Sequence, residues 1–119
     1  MRVFLFDWDE EAAEKRAAVM RKAGCEVDVE TRDGARGCRA VLACPPDAVV
    51  LSLEKRPSHS RETAAAIRGC KAGRRIPMLF LGGSAADIEK TLARVADARF
   101  AGSEQLCAVL EAMKKPPQA

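Results

Sequence analysis

The stretch Asp47-Ala48-Val49-Val50-Leu51-Ser52-Leu53 decides the fold of this chain. Val49 and Val50 are adjacent β-branched residues, and their stiff side chains favour an extended backbone. Because the apolar run is short and does not alternate with polar residues, it predicts a strand that is covered on both faces. Open α/β sheets bind ligands beyond the carboxyl ends of such central strands. Ser52 is therefore expected to lie at the functional edge of the sheet.

Strand and helix patterns alternate along the rest of the chain. Strands are predicted over residues 2–6, 25–30, 47–53, 76–81 and 98–101, and helices over 10–23, 35–44, 61–70, 85–95 and from 103 onward. This alternation, with right-handed crossovers, predicts a flavodoxin-like (βα)5 fold, a doubly wound parallel five-stranded sheet in the order 2-1-3-4-5. We expect residues 1–115 to form one domain and residues 116–119 to form a frayed tail.

Individual residues indicate the ends and the inner faces of the helices. Asp9, Asp33, Ser60 and Ser103 are predicted N-caps, because their side-chain oxygens can accept backbone N–H groups. Gly24 is a natural left-handed stop for the first helix. Apolar residues at helical spacing predict which side of each helix faces the core. The predicted inward-facing residues are Ala13, Ala17 and Met20 in the first helix; Ala35, Cys38, Val41 and Leu42 in the second; Ile88, Leu92 and Val95 in the fourth; and Leu106, Val109, Leu110 and Met113 in the last.

The charge composition does not predict a polyanionic partner. The 119 residues include 20 basic and 17 acidic side chains, for a net charge of +3. The excess is concentrated in residues 55–75, which is either a docking patch for an acidic partner or, more simply, a solvated helix face and loop. No aromatic residue interrupts this segment to stack on bases, so nucleic acid is not a predicted partner.

The cysteines and the apolar runs limit the class of protein. The five cysteines are an odd number without a Cys-x-x-Cys motif, and the single histidine, His59, provides no zinc-ligand spacing. We therefore predict reduced, mostly buried cysteines, a cytoplasmic location, and no metal or other cofactor. The acidic residues directly after the first strand argue against a signal peptide. No apolar run approaches the ~20 residues of a membrane span, so a membrane is not a predicted partner.

Four blocks of sequence together carry a family resemblance. Residues 4–9, Phe-Leu-Phe-Asp-Trp-Asp, are a hydrophobic strand that ends in acidic residues, and residues 31–35, Thr-Arg-Asp-Gly-Ala, are a turn into the second helix. Residues 46–53, Pro-Asp-Ala-Val-Val-Leu-Ser-Leu, contain the central strand, and residues 76–81, Ile-Pro-Met-Leu-Phe-Leu, are the fourth. With this spacing, the chain from residue 2 to residue 115 resembles a response-regulator receiver domain of two-component signalling.

The resemblance implies a phosphorylation pocket whose reacting groups this sequence has replaced. In the family, an aspartate after strand three attacks phosphorus, while acidic residues after strand one hold Mg²⁺, a cation that prefers oxygen ligands. Here Ser52 stands at the phosphoacceptor position, and a neutral hydroxyl without an adjacent base is a poor nucleophile. Trp8 replaces one of two adjacent acidic residues, which leaves Asp7 and Asp9.

The family's phosphoryl-binding groups are replaced as well. Gly82 stands where the family has a hydroxyl after strand four, and Gly102 stands near the position of its lysine after strand five. Arg99 stands near the position of the aromatic residue that reports activation. The chain therefore resembles a degenerate, pseudo-receiver member of the family. The residues of its degenerate pocket are Asp7, Trp8, Asp9, Ser52, Gly82 and Gly102.

These replacements predict a signalling module that acts through protein–protein interaction and not through phosphorylation. No nucleophile–base pair, metal cluster or phosphate-cradling glycine motif predicts an enzyme. The partner is expected to be another signalling protein, or a second copy of the chain in a homodimer. In the family the usual contact surface is helix four, strand five and helix five, which here includes Glu89, Lys90, Arg94, Arg99, Glu104 and Gln105. The alternative is a pseudo-receiver that senses a small redox ligand at the edge around Trp8.

Several pocket residues keep two interpretations at this point. Asp7 and Asp9 either hold a divalent cation or are a strand end and a helix cap. Ser52 either accepts phosphate from a serine kinase or bonds to the backbone. Residues 82–84, Gly-Gly-Ser, either bind an anion through backbone N–H groups or form a strand-to-helix turn. Trp8 either fills the acidic pocket or anchors a partner.

Overall fold

A computed structural model describes residues 1–114, and the predicted tail at 116–119 lies outside the described residues. Five parallel strands form one sheet in the order β2-β1-β3-β4-β5, so the predicted flavodoxin-like topology is confirmed. The strands are β1 (Arg2–Phe6), β2 (Glu26–Glu30), β3 (Ala48–Ser52), β4 (Met78–Leu81) and β5 (Arg99–Ala101). Parallel strands need crossovers, and each crossover here contains a helix.

The helices cover both faces of this sheet. They are α1 (Glu10–Lys22), α2 (Gly34–Ala43), α3 (Pro57–Arg68), α4 (Ala85–Arg94) and α5 (Leu106–Lys114), with short 3₁₀ turns at Lys71–Gly73 and Ser103–Gln105. All five residues of β3 are buried, as expected for a strand with one apolar layer above it and another below. Val49 and Leu51 contribute to the layer under α2 and α3, whereas Val50 packs with the residues of α1 and α5.

Most of the predicted helix ends are confirmed. Asp9 accepts the N–H groups of Glu11 and Ala12 at the start of α1, and Asp33 accepts that of Arg36 at the start of α2. Gly24 has a φ of 99°, the left-handed conformation that ends α1 at low cost.

Two of the predicted N-caps are wrong. α3 begins at Pro57, which has no N–H to satisfy and suits the first helical position, so Ser60 lies inside the first turn of this helix and is buried. Ser103 lies in the 3₁₀ turn that precedes α5, and Gly102 is the residue before that turn. Both hydroxyls are therefore available for contacts in the functional region.

Some of the predicted inward-facing residues are also wrong. Ala35 is exposed, because Gly34 and Gly37 occupy the buried face of α2 and bring the helix close to the sheet. Leu92 is 42% exposed, and Thr91 takes the buried position on α4. The five cysteines are free thiols as predicted, but Cys44 and Cys70 are exposed and the other three are half-buried. Within residues 1–114, the helices are all too short or too polar to cross a membrane.

Gly37→Ala is expected to destabilise the protein, although alanine ordinarily favours a helix over glycine by about 0.5–1 kcal/mol. A Cβ at position 37 would lie 2.2 Å from Cε1 of Phe6, whose ring is fully buried. Overpacking of this kind costs about 1–3 kcal/mol. Urea unfolding measures the change, and Ala40→Gly on the exposed face of α2 is the control that reports helix propensity alone. A Gly37→Ala variant more stable than the parent would contradict this packing.

Candidate functional site

The carboxyl ends of β1 and β3 meet at a buried polar cluster. Asp7 directly follows β1, and its residue is only 1% exposed. Its backbone N–H donates to the carbonyl of Glu30, and its Oδ1 accepts the N–H of Asp9 at 3.2 Å. Ser52, the last residue of β3, is completely buried. A buried carboxylate needs a charged partner, because desolvation of an unpaired ion is costly.

That partner is Arg16, which reaches from the inner face of α1 into the space between the two strand ends. Its Nη1 donates to Oδ2 of Asp7 at 2.5 Å and to Oγ of Ser52 at 3.2 Å. The arginine is 9% exposed, which is unusual for this residue type. The guanidinium therefore lies where the carboxyl ends of β1 and β3 converge.

The other side of the guanidinium contacts the loops that follow β3 and β5. Nη2 of Arg16 lies 2.9 Å from Oε2 of Glu54 and donates to Oγ of Ser103 at 3.0 Å. The backbone N–H of Glu54 in turn donates to Oγ of Ser52 at 3.2 Å. We call these five residues, Asp7, Arg16, Ser52, Glu54 and Ser103, the Arg16 cluster. One side chain thus joins α1 to the carboxyl ends of three strands.

The electrostatics of the cluster keep the arginine charged. Burial alone would lower the pKa of the Arg16 guanidinium, but hydrogen bonds to Asp7 and Glu54 outweigh it and raise that pKa. The fork of donors on a guanidinium suits several oxygen acceptors at once. Both carboxylates of the cluster are therefore already paired with a cation that belongs to the chain.

Trp8 points away from this cluster and packs under α3. Its indole Nε1 donates to Oγ of Ser60 at 2.8 Å, and the ring centroid lies 4.1 Å from that of His59. Ser60 in turn donates to the backbone carbonyl of Ser52 at 2.5 Å. Trp8 is 9% exposed, so it offers little surface to a partner or to a small ligand. The side chain that lies beside Asp7 is Arg16 and not Trp8.

The glycine that stands at the family's hydroxyl position makes room for Glu54. Gly82 has a φ of 71°, and a Cβ there would lie 2.7 Å from Cγ of Glu54. The following residues form a strand-to-helix turn in which Ser84 and Asp87 build a capping box for α4. Gly102 donates its N–H to Oε1 of Gln105 at 3.1 Å, inside the turn before α5.

The acidic residues of the site do not fit a divalent cation. Asp9 caps α1, and its Oδ2 lies 3.3 Å from Nζ of Lys55. The hydrogen bond from the Ala12 amide, together with Lys55, lowers the pKa of the Asp9 carboxyl. Asp7 and Glu54 are bound to Arg16. Within residues 1–114 there is no group of three His, Cys, Asp or Glu side chains arranged to hold a metal ion.

The predicted partner surface lies on α4, β5 and the turn that follows β5. All six of its residues are exposed, namely Glu89, Lys90, Arg94, Arg99, Glu104 and Gln105. Arg94 also pairs with another helix, because its Nη1 lies 2.5 Å from Oε1 of Glu62 on α3. The exposed Leu92 adds an apolar side chain to α4.

Three residues of the Arg16 cluster were missing from the sequence prediction of the pocket, namely Arg16, Glu54 and Ser103. The signal for Arg16 was its spacing, since it lies three residues after Ala13 and four before Met20, on the buried face of α1. Glu54 and Ser103 follow strand ends, where loop conformation decides the direction of a side chain.

Comparisons with known proteins identify the fold but not a sequence family. A scan against protein-family models finds no match, and a search of curated proteins finds no relative. Among solved structures, this chain is similar to a putative response regulator from Chloroflexus aurantiacus, with a TM-score of 0.81 and 18% identity over 94% of this chain and 95% of that one. It is also similar to the chemotaxis protein CheY4 of Vibrio cholerae, with a TM-score of 0.80 and 16% identity over 94% and 97% of the two chains.

A third similar structure contains a metal ion. It is the receiver domain of a sensor histidine kinase from Pseudomonas aeruginosa, with magnesium coordinated in its active site cleft. The TM-score is 0.79, with 18% identity over 94% of this chain and 95% of that one. The chain described here has the fold of response-regulator receiver domains.

Proposed function

We propose that this chain is a pseudo-receiver, a signalling module that works without accepting a phosphoryl group and acts by binding another protein. The observation that carries the proposal is the position of the Arg16 guanidinium. It lies between Asp7 and Ser52, at the edge where receiver domains carry out their chemistry. A cation built into the chain would then replace a cation that is bound from solution.

The nucleophile is the first argument against phosphotransfer. Ser52 is completely buried, and its Oγ accepts hydrogen bonds from Arg16 and from the Glu54 amide. Both are donors, and neither can remove a proton from the hydroxyl. A serine needs an adjacent general base to attack phosphorus at neutral pH.

The metal is the second argument. Mg²⁺ binds through several oxygens in octahedral geometry and releases its water reluctantly. To reach Asp7 or Glu54 it would have to displace Arg16, and that would leave a guanidinium without carboxylate partners in a largely buried position. The residues present therefore favour the arginine over the metal.

Signalling by such a module depends on its surface. Leu92 lies on α4 with the charged residues Glu89, Lys90 and Arg94 of the predicted partner surface, and it is one of three exposed large apolar side chains within residues 1–114. Protein interfaces commonly combine an apolar centre with a polar rim. Another signalling protein that binds α4 and β5 would recognise this module in a constant conformation.

Incubation with acetyl phosphate or beryllofluoride and Mg²⁺ is expected to leave both the intact mass and the amide NMR spectrum unchanged. Ser52→Asp is expected to be equally inert, because Nη1 of Arg16 lies 3.2 Å from the position 52 hydroxyl and would bind the new carboxylate. A receiver domain that accepts phosphate serves as the positive control. A mass gain of one phosphate that hydroxylamine removes, or saturable shifts at Asp7, Asp9 and Ser52, would refute the proposal.

A further inference from the structure

The opposite edge of the sheet contains a basic surface to which no described contact gives a role. Its cations are Lys71, Arg74 and Arg75, all exposed, in the segment between α3 and β4. This segment precedes β4, so the surface lies at the amino edge of the sheet, away from the Arg16 cluster. Any role that it has is independent of the phosphoryl chemistry discussed above.

Most of the other cations of residues 55–75 are ion-paired, and Arg56, which has no such pair in the described part of the chain, lies before α3 at the other edge of the sheet. Lys55 pairs with Asp9 at 3.3 Å, Arg61 with Asp87 at 3.6 Å, and Arg68 with Asp97 at 3.0 Å. Within residues 1–114, by contrast, none of Lys71, Arg74 and Arg75 lies within 4.0 Å of a carboxylate oxygen of Asp or Glu. Their positive charge is therefore directed to solvent or to a partner.

The backbone of this segment is held in one shape. Nη1 of Arg68 donates to the carbonyls of Gly73 and Arg74, at 2.9 and 3.0 Å. Gly73 packs so tightly that a Cβ there would lie 2.1 Å from the carbonyl oxygen of Ile67. Because the loop is already ordered, a partner would not have to spend binding free energy on ordering its backbone.

The three cations line an open cavity together with apolar residues. The cavity has a volume of about 560 Å³, and its other lining residues include Pro46, Ile76 and Pro77. Pro46 and Ile76 are largely buried, whereas Pro77 is exposed, so part of this apolar lining is accessible to solvent. Positive charge beside an apolar surface is complementary to an acidic segment that carries an apolar side chain.

We propose that Lys71, Arg74 and Arg75 form a docking site for an acidic segment of a partner protein, with an apolar side chain of that segment seated on Pro46, Ile76 and Pro77. A nucleic acid fits this surface less well, because the lining residues of this cavity within residues 1–114 include no aromatic side chain for base stacking. Asp47 also lines the cavity, and its carboxylate is already engaged by the backbone N–H of Arg2 at 2.7 Å.

The test uses the full chain and a fluorescent acidic peptide, Glu-Asp-Glu-Leu-Glu-Asp. Fluorescence anisotropy at low salt measures peptide binding. We expect about tenfold or more weakening in the triple variant Lys71→Glu/Arg74→Glu/Arg75→Glu. The control is the triple variant Lys15→Glu/Lys22→Glu/Arg39→Glu, which makes the same change in net charge at exposed positions on α1 and α2. We expect this control to weaken binding less than about twofold. Circular dichroism confirms that both variants are folded.

Two further measurements locate the bound peptide and identify the class of ligand. Amide shifts are expected at Ala72 and Ile76, and a peptide with serine in place of leucine is expected to bind more weakly. No binding of the acidic peptide at ~1 mM would overturn the proposal, and so would equal weakening in both charge variants. Tighter binding of polyuridine RNA than of the peptide, with the same amide shifts, would assign the surface to nucleic acid and also overturn it.

Discussion

Replacement of Arg16 by alanine is expected to lower the free energy of unfolding by about 3–5 kcal/mol, the usual cost of removing one partner of a buried ion pair. The residue left behind, Asp7, is only 1% exposed, and Glu54 and Ser103 would lose the same partner. Chemical unfolding at neutral pH measures the loss. Without the guanidinium, the carboxylate is buried without a charged partner, which is costly.

A matched control and a rescue variant distinguish this effect from the change in helix propensity, which alone would slightly favour alanine. Lys15→Ala, the neighbouring position on α1, removes an exposed pair with Glu11 and should cost less than about 0.5 kcal/mol. Arg16→Met/Asp7→Asn keeps the volume but removes both charges, and it should recover a large part of the stability lost in Arg16→Met. A loss below about 1 kcal/mol in Arg16→Ala, or a double variant no better than Arg16→Met, would contradict the assignment.

An arginine in this position also has a consequence for regulation under the proposed function. The stabilisation that a bound metal gives depends on its concentration and affinity, whereas a covalently attached cation is always present. The Arg16 cluster joins α1 to the loops after β3 and β5 in every molecule. A partner that binds α4 and β5 would then meet one constant state, not a population that changes with phosphorylation.

The sheet could be predicted from the sequence because its signals are local. Residues 47–53 are apolar and β-branched, and strands alternate with helices at regular spacing, so strand order followed from general rules of chain connection. Asp9 and Asp33 were predictable caps for the same reason, since a cap bonds only to its own first turn. Such features need no knowledge of distant residues.

The contents of the site could not be predicted in the same way, because they depend on contacts between residues far apart in sequence. Arg16 bonds to Ser52 and Ser103, which are 36 and 87 residues away. Ser60 has the composition of an N-cap, yet its hydroxyl links Trp8 to the Ser52 carbonyl, because α3 starts earlier at Pro57. In both cases a polar side chain that sequence rules place at a surface is held inside by tertiary packing.

Glu30→Gln is expected to cost about 2–3 kcal/mol of stability at neutral pH and almost nothing near pH 2. Glu30 is 6% exposed and receives hydrogen bonds from the Arg36 side chain and from the amides of Arg32 and Asp33. The bond from Arg36, assisted by the two amides, outweighs burial and lowers the pKa of the Glu30 carboxyl from 4.5 to about 2. Because the folded-state pKa is the lower one, the carboxylate stabilises the fold fully above about pH 4.5, and this contribution disappears as the pH falls to 2.

The measurement is the difference in unfolding free energy between parent and variant across pH 2–7, since that difference removes the contribution of the other carboxylates. Glu10→Gln is the matched control, because Glu10 also pairs with an arginine, Arg32 at 2.7 Å, but both side chains are more than half exposed. An exposed pair of this kind should contribute less than about 1 kcal/mol and show little change with pH. If Glu30→Gln lost the same stability at pH 2 as at pH 7, the lost energy would come from packing against α2 and not from the charge that Arg36 holds at the end of β2.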